Sequence, residues 1–300
     1  MLSCCGEQLP FVNGEISGVG SSLFCRSLIE YLKKSTDLDL TIIDLEPICV
    51  IGKTYAPQYY SQTFEALISE KSIFDDDLQL EIPTIKLSSG AVGIEQGDLM
   101  YELAYQGKTV IVNLPSRSYE SVHNWLQLAD IVELSKQTKV QIWQWFTTNG
   151  SAESMYILRK LYQIYTHSFN YVIIKNEGDY PRIQNSWFSW KNNIELQAYI
   201  ETFPTYQLMM PSLSLPDYRW DILSKNCLSF TTAKSHGHSA VTILEKQKIH
   251  TWLNTMFNQL SSIPFNQFED LSGFEAFDDD ELFADDTDDD FDENELAFLF

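Results

Sequence analysis

The segment FVNGEISGVGSSLFCRSLIEYL, residues 11–32, decides the fold because three local patterns follow one another in it. Its first residues are apolar and predict the end of a buried strand. A glycine-rich turn follows, with Gly14, Gly18 and Gly20, and apolar residues then recur with a helical period from Leu23 onward. A strand, a glycine turn and a helix in this order present backbone N–H groups and a helix N-terminus to a phosphate.

Outside this segment, short apolar runs alternate with amphipathic stretches. The alternation predicts an α/β fold, a doubly wound and mostly parallel sheet with helices on both faces. We expect strands at residues 9–13, 38–44, 109–114, 140–146, 171–175 and 206–210. We expect helices at residues 21–34, 119–134, 151–165, 192–201 and 241–260, and a helical segment that Gly107 closes.

The glycine turn, residues 14–22, lacks the lysine that reaches the β- and γ-phosphates in working P-loops, because Ser21 stands at that position. Ser22 retains the hydroxyl that binds Mg²⁺ in such loops. Three interpretations are open: a structural turn without a ligand, nucleotide binding without efficient turnover, and active turnover with a basic residue supplied from elsewhere.

The turn resembles the phosphate loop of the ParA/MinD-type ATPases, whose pattern K-G-G-x-G-K-S/T falls on ISGVGSS, residues 16–22. Other segments agree with the resemblance, since Asp44 ends TIID, Asn113 ends VIVN and Asn176 ends YVIIKN. The chain is most similar to a MobD-like branch found in cyanobacteria and on plasmids. The matching blocks span residues 9–260.

The resemblance implies a P-loop NTPase-like fold that takes ATP and Mg²⁺. It implies that Asp44 orients the attacking water and helps Ser22 to hold the metal, and that Asn176 reads adenine. The nucleotide-binding residues that it implies are Gly18, Val19, Gly20, Ser21, Ser22, Leu23, Asn113 and Asn176.

Both lysines of the family pattern are replaced, by Ile16 and Ser21. A desolvated charge contact contributes about 2–5 kcal/mol, so nucleotide binding should be weak. Hydrolysis should suffer more, because such cations stabilise the transferred phosphoryl group in the transition state. We therefore expect a pseudo-ATPase that acts as a regulatory or scaffolding partner. The alternatives are an active ATPase for plasmid mobilisation, partitioning or cargo positioning, which would form a homodimer, and an acidic protein that mimics nucleic acid.

The acidic residues are unevenly distributed. Of the 42 Asp and Glu residues, fifteen lie in residues 269–300, which contain no Lys or Arg. This charge density cannot pack into a core, so we expect a domain at residues 1–264 and a tail at 265–300 that is disordered or bound to a partner. Residues 269–300 also carry six phenylalanines, whose apolar surface would be buried by association, and we expect this segment to dock on a protein partner.

Composition also restricts the location and the ligands. The body lacks a basic stripe, so direct nucleic-acid binding is not expected. Neither a signal peptide nor a run of about 18 apolar residues is present, and we expect a cytoplasmic protein that does not enter the membrane. The five cysteines suggest neither disulfides nor zinc, and the pair His236 and His238 lacks a third ligand nearby.

Overall fold

The computed structural model describes residues 7–46, 48, 50–57, 91–165, 168–178, 184–203, 205–235 and 240–265, with the backbone alone for residues 91–96 and 184–186. These residues all lie within one compact unit, Met1–Gln267. The tail predicted at residues 265–300 lies outside the described residues from residue 266 onward, so its predicted disorder and docking are not described, and His236 and His238 also lie outside.

In the described part of the chain, six parallel strands form one sheet with the order β2-β3-β1-β4-β5-β6. The strands are β1 (Gln8–Asn13), β2 (Leu40–Asp44), β3 (Thr109–Asn113), β4 (Gln141–Thr148), β5 (Asn170–Asn176) and β6 (Thr205–Met210). All six predicted strands are confirmed. Strands β1 and β3 are buried along their whole length because helices cover both faces of the sheet, whereas the edge strand β6 is buried only in part.

The helices divide between the two faces of the sheet. They are α1 (Ser21–Ser35), α2 (Val50–Tyr55), α3 (Ala91–Tyr105), α4 (Tyr119–Leu128), α5 (Ile131–Thr138), α6 (Ala152–Tyr165), α7 (Gln184–Asn192), α8 (Ile194–Thr202), α9 (Asp217–Lys225), α10 (Phe230–Lys234) and α11 (Ile243–Leu260). Helices α3 to α8 contribute to one hydrophobic core, and α1, α2 and α9 to α11 contribute to the other. The fold is therefore doubly wound, as predicted.

Successive strand residues supply the two cores in turn. In β1, Phe11 lies in the first core and Val12 in the second, and in β4, Trp145 lies in the second and Phe146 in the first. The period of two follows from strand geometry. Phe265, which the prediction counts to the tail, is buried in the second core, where its ring lies 5.8 Å from that of Trp145.

The helix predicted at residues 119–134 is wrong in its extent, because the chain forms two helices there. Asp130 adopts a left-handed conformation with φ +47°, which interrupts the helical path between α4 and α5. The helix predicted at 192–201 begins later, at Ile194, because Asn193 caps it by accepting a hydrogen bond from the Leu196 N–H.

Strand β1 lies at the point where the chain changes direction across the sheet. From β1 the chain builds β2 and β3 on one side and β4, β5 and β6 on the other. In open α/β sheets, ligands bind outside the carboxyl ends of the strands at this switch point. The glycine turn follows β1 directly, so residues 14–22 occupy this position.

Candidate functional site

Residues 14–22, called here the phosphate loop, connect the carboxyl end of β1 to the first turn of α1. Gly18 and Gly20 have φ of +81° and +93°, which side-chain-bearing residues rarely adopt. Gly14 is required for a different reason: there is no space for a side chain, because a Cβ atom would lie 2.3 Å from Cγ2 of Val19. Val19 itself is buried. The loop therefore folds tightly back on the end of β1.

The N-terminus of α1 is open. Gly20 is its N-cap residue and, as a glycine, supplies no side-chain cap. The Phe24 N–H donates to the Gly20 carbonyl at 2.9 Å, which begins the helical pattern. An uncapped helix N-terminus presents backbone donors and a partial positive charge, and both favour an anion.

The hydroxyl predicted to bind Mg²⁺ is engaged with an acid. Ser22 Oγ donates a hydrogen bond of 2.6 Å to Oε1 of Glu46, a residue that the sequence did not single out. Burial raises the pKa of Glu46, the Ser22 hydrogen bond opposes this shift, and the charge of Asp44 adds to it. The loop therefore has an acidic neighbour where working phosphate loops have cations.

Asp44 and Asn113, which the sequence predicted in one site, are in contact. They are paired in register at the ends of β2 and β3, and Asn113 Nδ2 donates to Asp44 Oδ1 at 2.8 Å. The Gly52 N–H donates to Asp44 Oδ2 at 3.0 Å. Asp44 is 1% exposed, and its burial raises its pKa while these hydrogen bonds oppose the shift. The carboxylate is thus held in a fixed orientation.

Asn113 has one unused acceptor. Its Oδ1 is buried and has no hydrogen-bond partner among the described residues. An unsatisfied buried oxygen costs about 1–3 kcal/mol, so a ligand or a water that supplied a donor or a cation here would be stabilised.

Asn176, predicted to read adenine, contacts the phosphate loop. Its Nδ2 donates to the Val19 carbonyl at 2.7 Å, and its Oδ1 accepts from the Gly178 N–H at 2.7 Å. A Cβ atom at Gly20 would lie 2.8 Å from the same Nδ2. The amide therefore fixes the loop to the end of β5, two strands away from β1.

Glu15 is the residue of the phosphate loop whose role sequence reasoning missed. It is 6% exposed, and its Oε1 accepts from Asn13 Nδ2 at 3.0 Å while its Oε2 accepts from the Tyr119 N–H at 3.2 Å. Burial raises its pKa to about 7, against the effect of the Tyr119 N–H and the Ser118 hydroxyl. An acid placed directly after a buried strand and a tight glycine was the available signal.

A polar cluster continues from Glu15 under the first core. Gln144 Nε2 donates to Asn13 Oδ1 at 2.9 Å, and His123 Nδ1 lies 2.6 Å from the Tyr165 hydroxyl. These residues line a cavity of about 10 Å³. That volume is close to the smallest that holds one water molecule, about 10–15 Å³.

No Lys or Arg side chain in the described ranges forms a hydrogen bond or ion pair with the phosphate loop. Arg117 comes near it through its backbone, because its N–H donates to the Glu15 carbonyl at 3.1 Å. Arg117 also has a positive φ of +61° and an exposed side chain. The two lysine positions of the family pattern, Ile16 and Ser21, are partly exposed.

The described residues contain no group of three or more His, Cys, Asp or Glu side chains placed to hold a metal ion. Within the same part of the chain, every helix is too short or too polar to cross a bilayer.

No protein-family profile matches the sequence. No curated protein matches it significantly either. The resemblance to the ParA/MinD-type ATPases therefore depends on the short segments that carry it.

Proposed function

We propose that this chain is a ParA/MinD-like nucleotide-binding protein that binds MgATP weakly, hydrolyses it slowly or not at all, and acts as a regulatory or scaffolding partner. The observation that carries the proposal is a phosphate loop with an open helix N-terminus whose neighbouring side chains are acidic. Glycine geometry and backbone donors favour phosphate, and Glu15 and Glu46 oppose it.

The residues present fit a magnesium ion that arrives with the nucleotide. Ser22 Oγ and Asp44 would hold it, directly or through water, and Asn113 Oδ1 is a buried acceptor without a partner in the described residues. Oxygen ligands of this kind suit Mg²⁺, which would neutralise phosphate charge when bound. Ser22 would then exchange its hydrogen bond to Glu46 for the metal.

Slow or absent hydrolysis follows from the missing cations. The transition state places negative charge on the transferred phosphoryl group, and lysines or arginines normally stabilise that charge. Ile16 and Ser21 cannot do so, and Glu46 contributes charge of the opposite sign when ionised. The site therefore supports binding and a conformational response better than turnover.

Calorimetric titration with MgATP on the wild type and on Ser21→Lys tests the proposal. The variant restores a cation at the start of α1, and we expect it to bind on the order of 10- to 100-fold more tightly. Ser35→Lys is the matched control, because it adds the same charge to an exposed position at the other end of α1. Absence of binding in both the wild type and Ser21→Lys would contradict nucleotide binding.

The partner part of the proposal rests on residues 269–300, which combine fifteen acids with six phenylalanines. Charge would bring this segment to a basic surface, and the phenylalanines would anchor it there. Co-purification with a chosen partner should disappear when residues 269–300 are deleted and also when the six phenylalanines are replaced by serine. Retention by the serine variant would show that charge alone is recognised.

One observation favours the alternative of an active ATPase. Arg117 is attached to the phosphate loop through the Glu15 carbonyl and holds a left-handed backbone conformation that costs a side-chain-bearing residue about 1–2 kcal/mol. If Arg117 replaces the missing lysines, the wild type will release phosphate from ATP, and Arg117→Ala will not. ATP-dependent dimerisation in sedimentation would accompany that activity.

A further inference from the structure

Glu15 is the one ionisable side chain in the sequence of the phosphate loop. It is buried, and its two carboxyl oxygens face an amide group of Asn13 and the backbone N–H of Tyr119, at the start of α4. The Arg117 N–H binds the Glu15 carbonyl, so the residue joins the phosphate loop to the β3–α4 connection through both its backbone and its side chain. None of these contacts brings a cationic side chain to the carboxylate.

The neighbouring side-chain amides, those of Asn13 and Gln144, can form hydrogen bonds with either protonation state of Glu15. With the carboxylate ionised, Asn13 Nδ2 donates to Glu15 and Gln144 Nε2 donates to Asn13 Oδ1. If both amides rotate by half a turn, Asn13 Oδ1 faces a protonated Glu15 and Asn13 Nδ2 faces Gln144 Oε1. The hydrogen bonds between Glu15 and Asn13 and between Asn13 and Gln144 are then both retained, with donor and acceptor exchanged. This is possible because an amide offers a donor on one side and an acceptor on the other.

An anion in the phosphate loop would disfavour the ionised form of Glu15. Both charges would belong to one short loop, and charges near a protein interior interact several times more strongly than charges in water. Burial already raises the pKa of Glu15 to about 7. The group can therefore change its protonation state near neutral pH, where a bound phosphate would favour the protonated form.

We propose that Glu15 couples phosphate binding at this loop to the uptake of one proton, so that nucleotide binds to the protonated loop. The inference rests on the proposed function and adds its regulation: affinity falls as pH rises. By the same coupling, a bound nucleotide favours the protonated form of Glu15. The hydrogen bond between Glu15 and the Tyr119 N–H, at the start of α4, would then differ between the free and the bound loop.

Other titratable and charged groups lie around Glu15 and its partner Tyr119. From the connection and α4 they are Arg117, Tyr119, Glu120 and His123, and from α6 they are Tyr156, Lys160 and Tyr165. The pKa of Tyr119 is raised chiefly by burial, and Lys160 opposes that shift. Because several titratable groups lie near Glu15, the test needs a variant that changes Glu15 alone.

Titration of MgATP at pH 6, 7 and 8 into the wild type and Glu15→Gln tests the inference. Glutamine retains the shape of the side chain and imitates the protonated state, since it offers one donor and one acceptor. A site that binds only the protonated form, with a pKa of about 7, loses affinity about tenfold between pH 6 and pH 8. We expect this loss in the wild type relative to Glu15→Gln, and tighter binding by Glu15→Gln at pH 8.

The variant also corrects for the titration of the nucleotide and of the neighbouring groups, because these are the same for the two proteins. Glu120→Gln, an exposed acid in the first turn of α4, is the matched control and should follow the wild type. Wild-type binding at pH 7 should also take up about half a proton, measured in buffers of different ionisation enthalpy.

Three results decide between the proposals. Binding by both proteins with the same pH profile would overturn the coupling and leave nucleotide binding intact. Absence of binding by both proteins at every pH would overturn nucleotide binding and the coupling with it. Nucleotide binding and its coupling to Glu15 are both supported if the wild type loses affinity about tenfold more than Glu15→Gln between pH 6 and pH 8 while Glu120→Gln follows the wild type.

Discussion

Replacing Glu15 by glutamine should change the pH dependence of folding stability even without a ligand. Burial raises the pKa of Glu15 to about 7 from an ordinary value of 4.5. In the folded chain, Glu15 therefore keeps its proton over a pH range in which the same carboxyl group of the unfolded chain has already lost it. The wild type loses stability as pH rises from about 4.5 to about 7, and the loss is complete above that range.

The size of the effect follows from the size of the pKa shift. Each pKa unit corresponds to about 1.4 kcal/mol, so a shift of this size costs the wild type about 3 kcal/mol above pH 7. Glutamine does not ionise. The unfolding free energy of Glu15→Gln minus that of the wild type should therefore rise by about 2.5 kcal/mol between pH 5 and pH 8, because the loss in the wild type has already begun below pH 5.

Urea denaturation followed by tryptophan fluorescence measures this difference, since the chain has seven tryptophans. The slope of unfolding free energy against urea concentration should be the same for the two proteins. Their unfolding free energies can then be compared directly. Glu120→Gln serves as the control for loss of an exposed acid. Parallel pH profiles for the wild type and Glu15→Gln would refute the view that the carboxyl is buried without a cation.

Further predictions concern the loop, a helix cap and the predicted metal ligand. Gly20→Ala should cost about 2 kcal/mol of unfolding free energy, because φ is +93° and the new Cβ would lie 2.8 Å from Asn176 Nδ2; Gly18→Ala, with open space around it, should cost about 1 kcal/mol in the same urea assay. Glu30→Ala should cost about 3 kcal/mol, because Glu30 Oε1 accepts from the Phe230 N–H and the Tyr55 hydroxyl, both at 2.6 Å. A loss below about 1 kcal/mol, as for an exposed acid, would contradict that role. Asp44→Asn should remove the dependence of ATP affinity on Mg²⁺ in titrations with and without the metal, and an unchanged dependence would argue against Asp44 as a ligand.

The strands were predictable because their signals are local. Most are short and largely apolar runs bounded by polar or turn residues, and the side chains of the central strands meet two covered faces. The contact between Asp44 and Asn113 was also accessible, since parallel strands place their carboxyl ends at one edge of the sheet. The family resemblance pointed to the same pair. The break between α4 and α5 was not predictable from periodicity, because Asp130 interrupts the helix through its backbone conformation.

The site contacts that change the functional interpretation join residues far apart in the sequence. Glu15 and Tyr119 are 104 positions apart, and Asn176 and the Val19 carbonyl are 157 apart. Neither partner shows a pattern that identifies the other. Glu46, only two residues beyond Asp44, was missed for a different reason: the direction of its side chain toward Ser22 depends on how α1 packs on the sheet.

The amino-acid sequence by itself determined the parallel α/β sheet, the position of the glycine turn, the loss of both lysines and the separation of charge between residues 1–268 and 269–300. These properties follow from local periodicity and composition. Only the tertiary structure decided that Glu15 is buried, that Glu46 holds the Ser22 hydroxyl and that Asn176 fixes the loop. Burial and hydrogen-bond partners arise when distant segments pack together, and packing sets the dielectric environment that shifts the pKa of an acid.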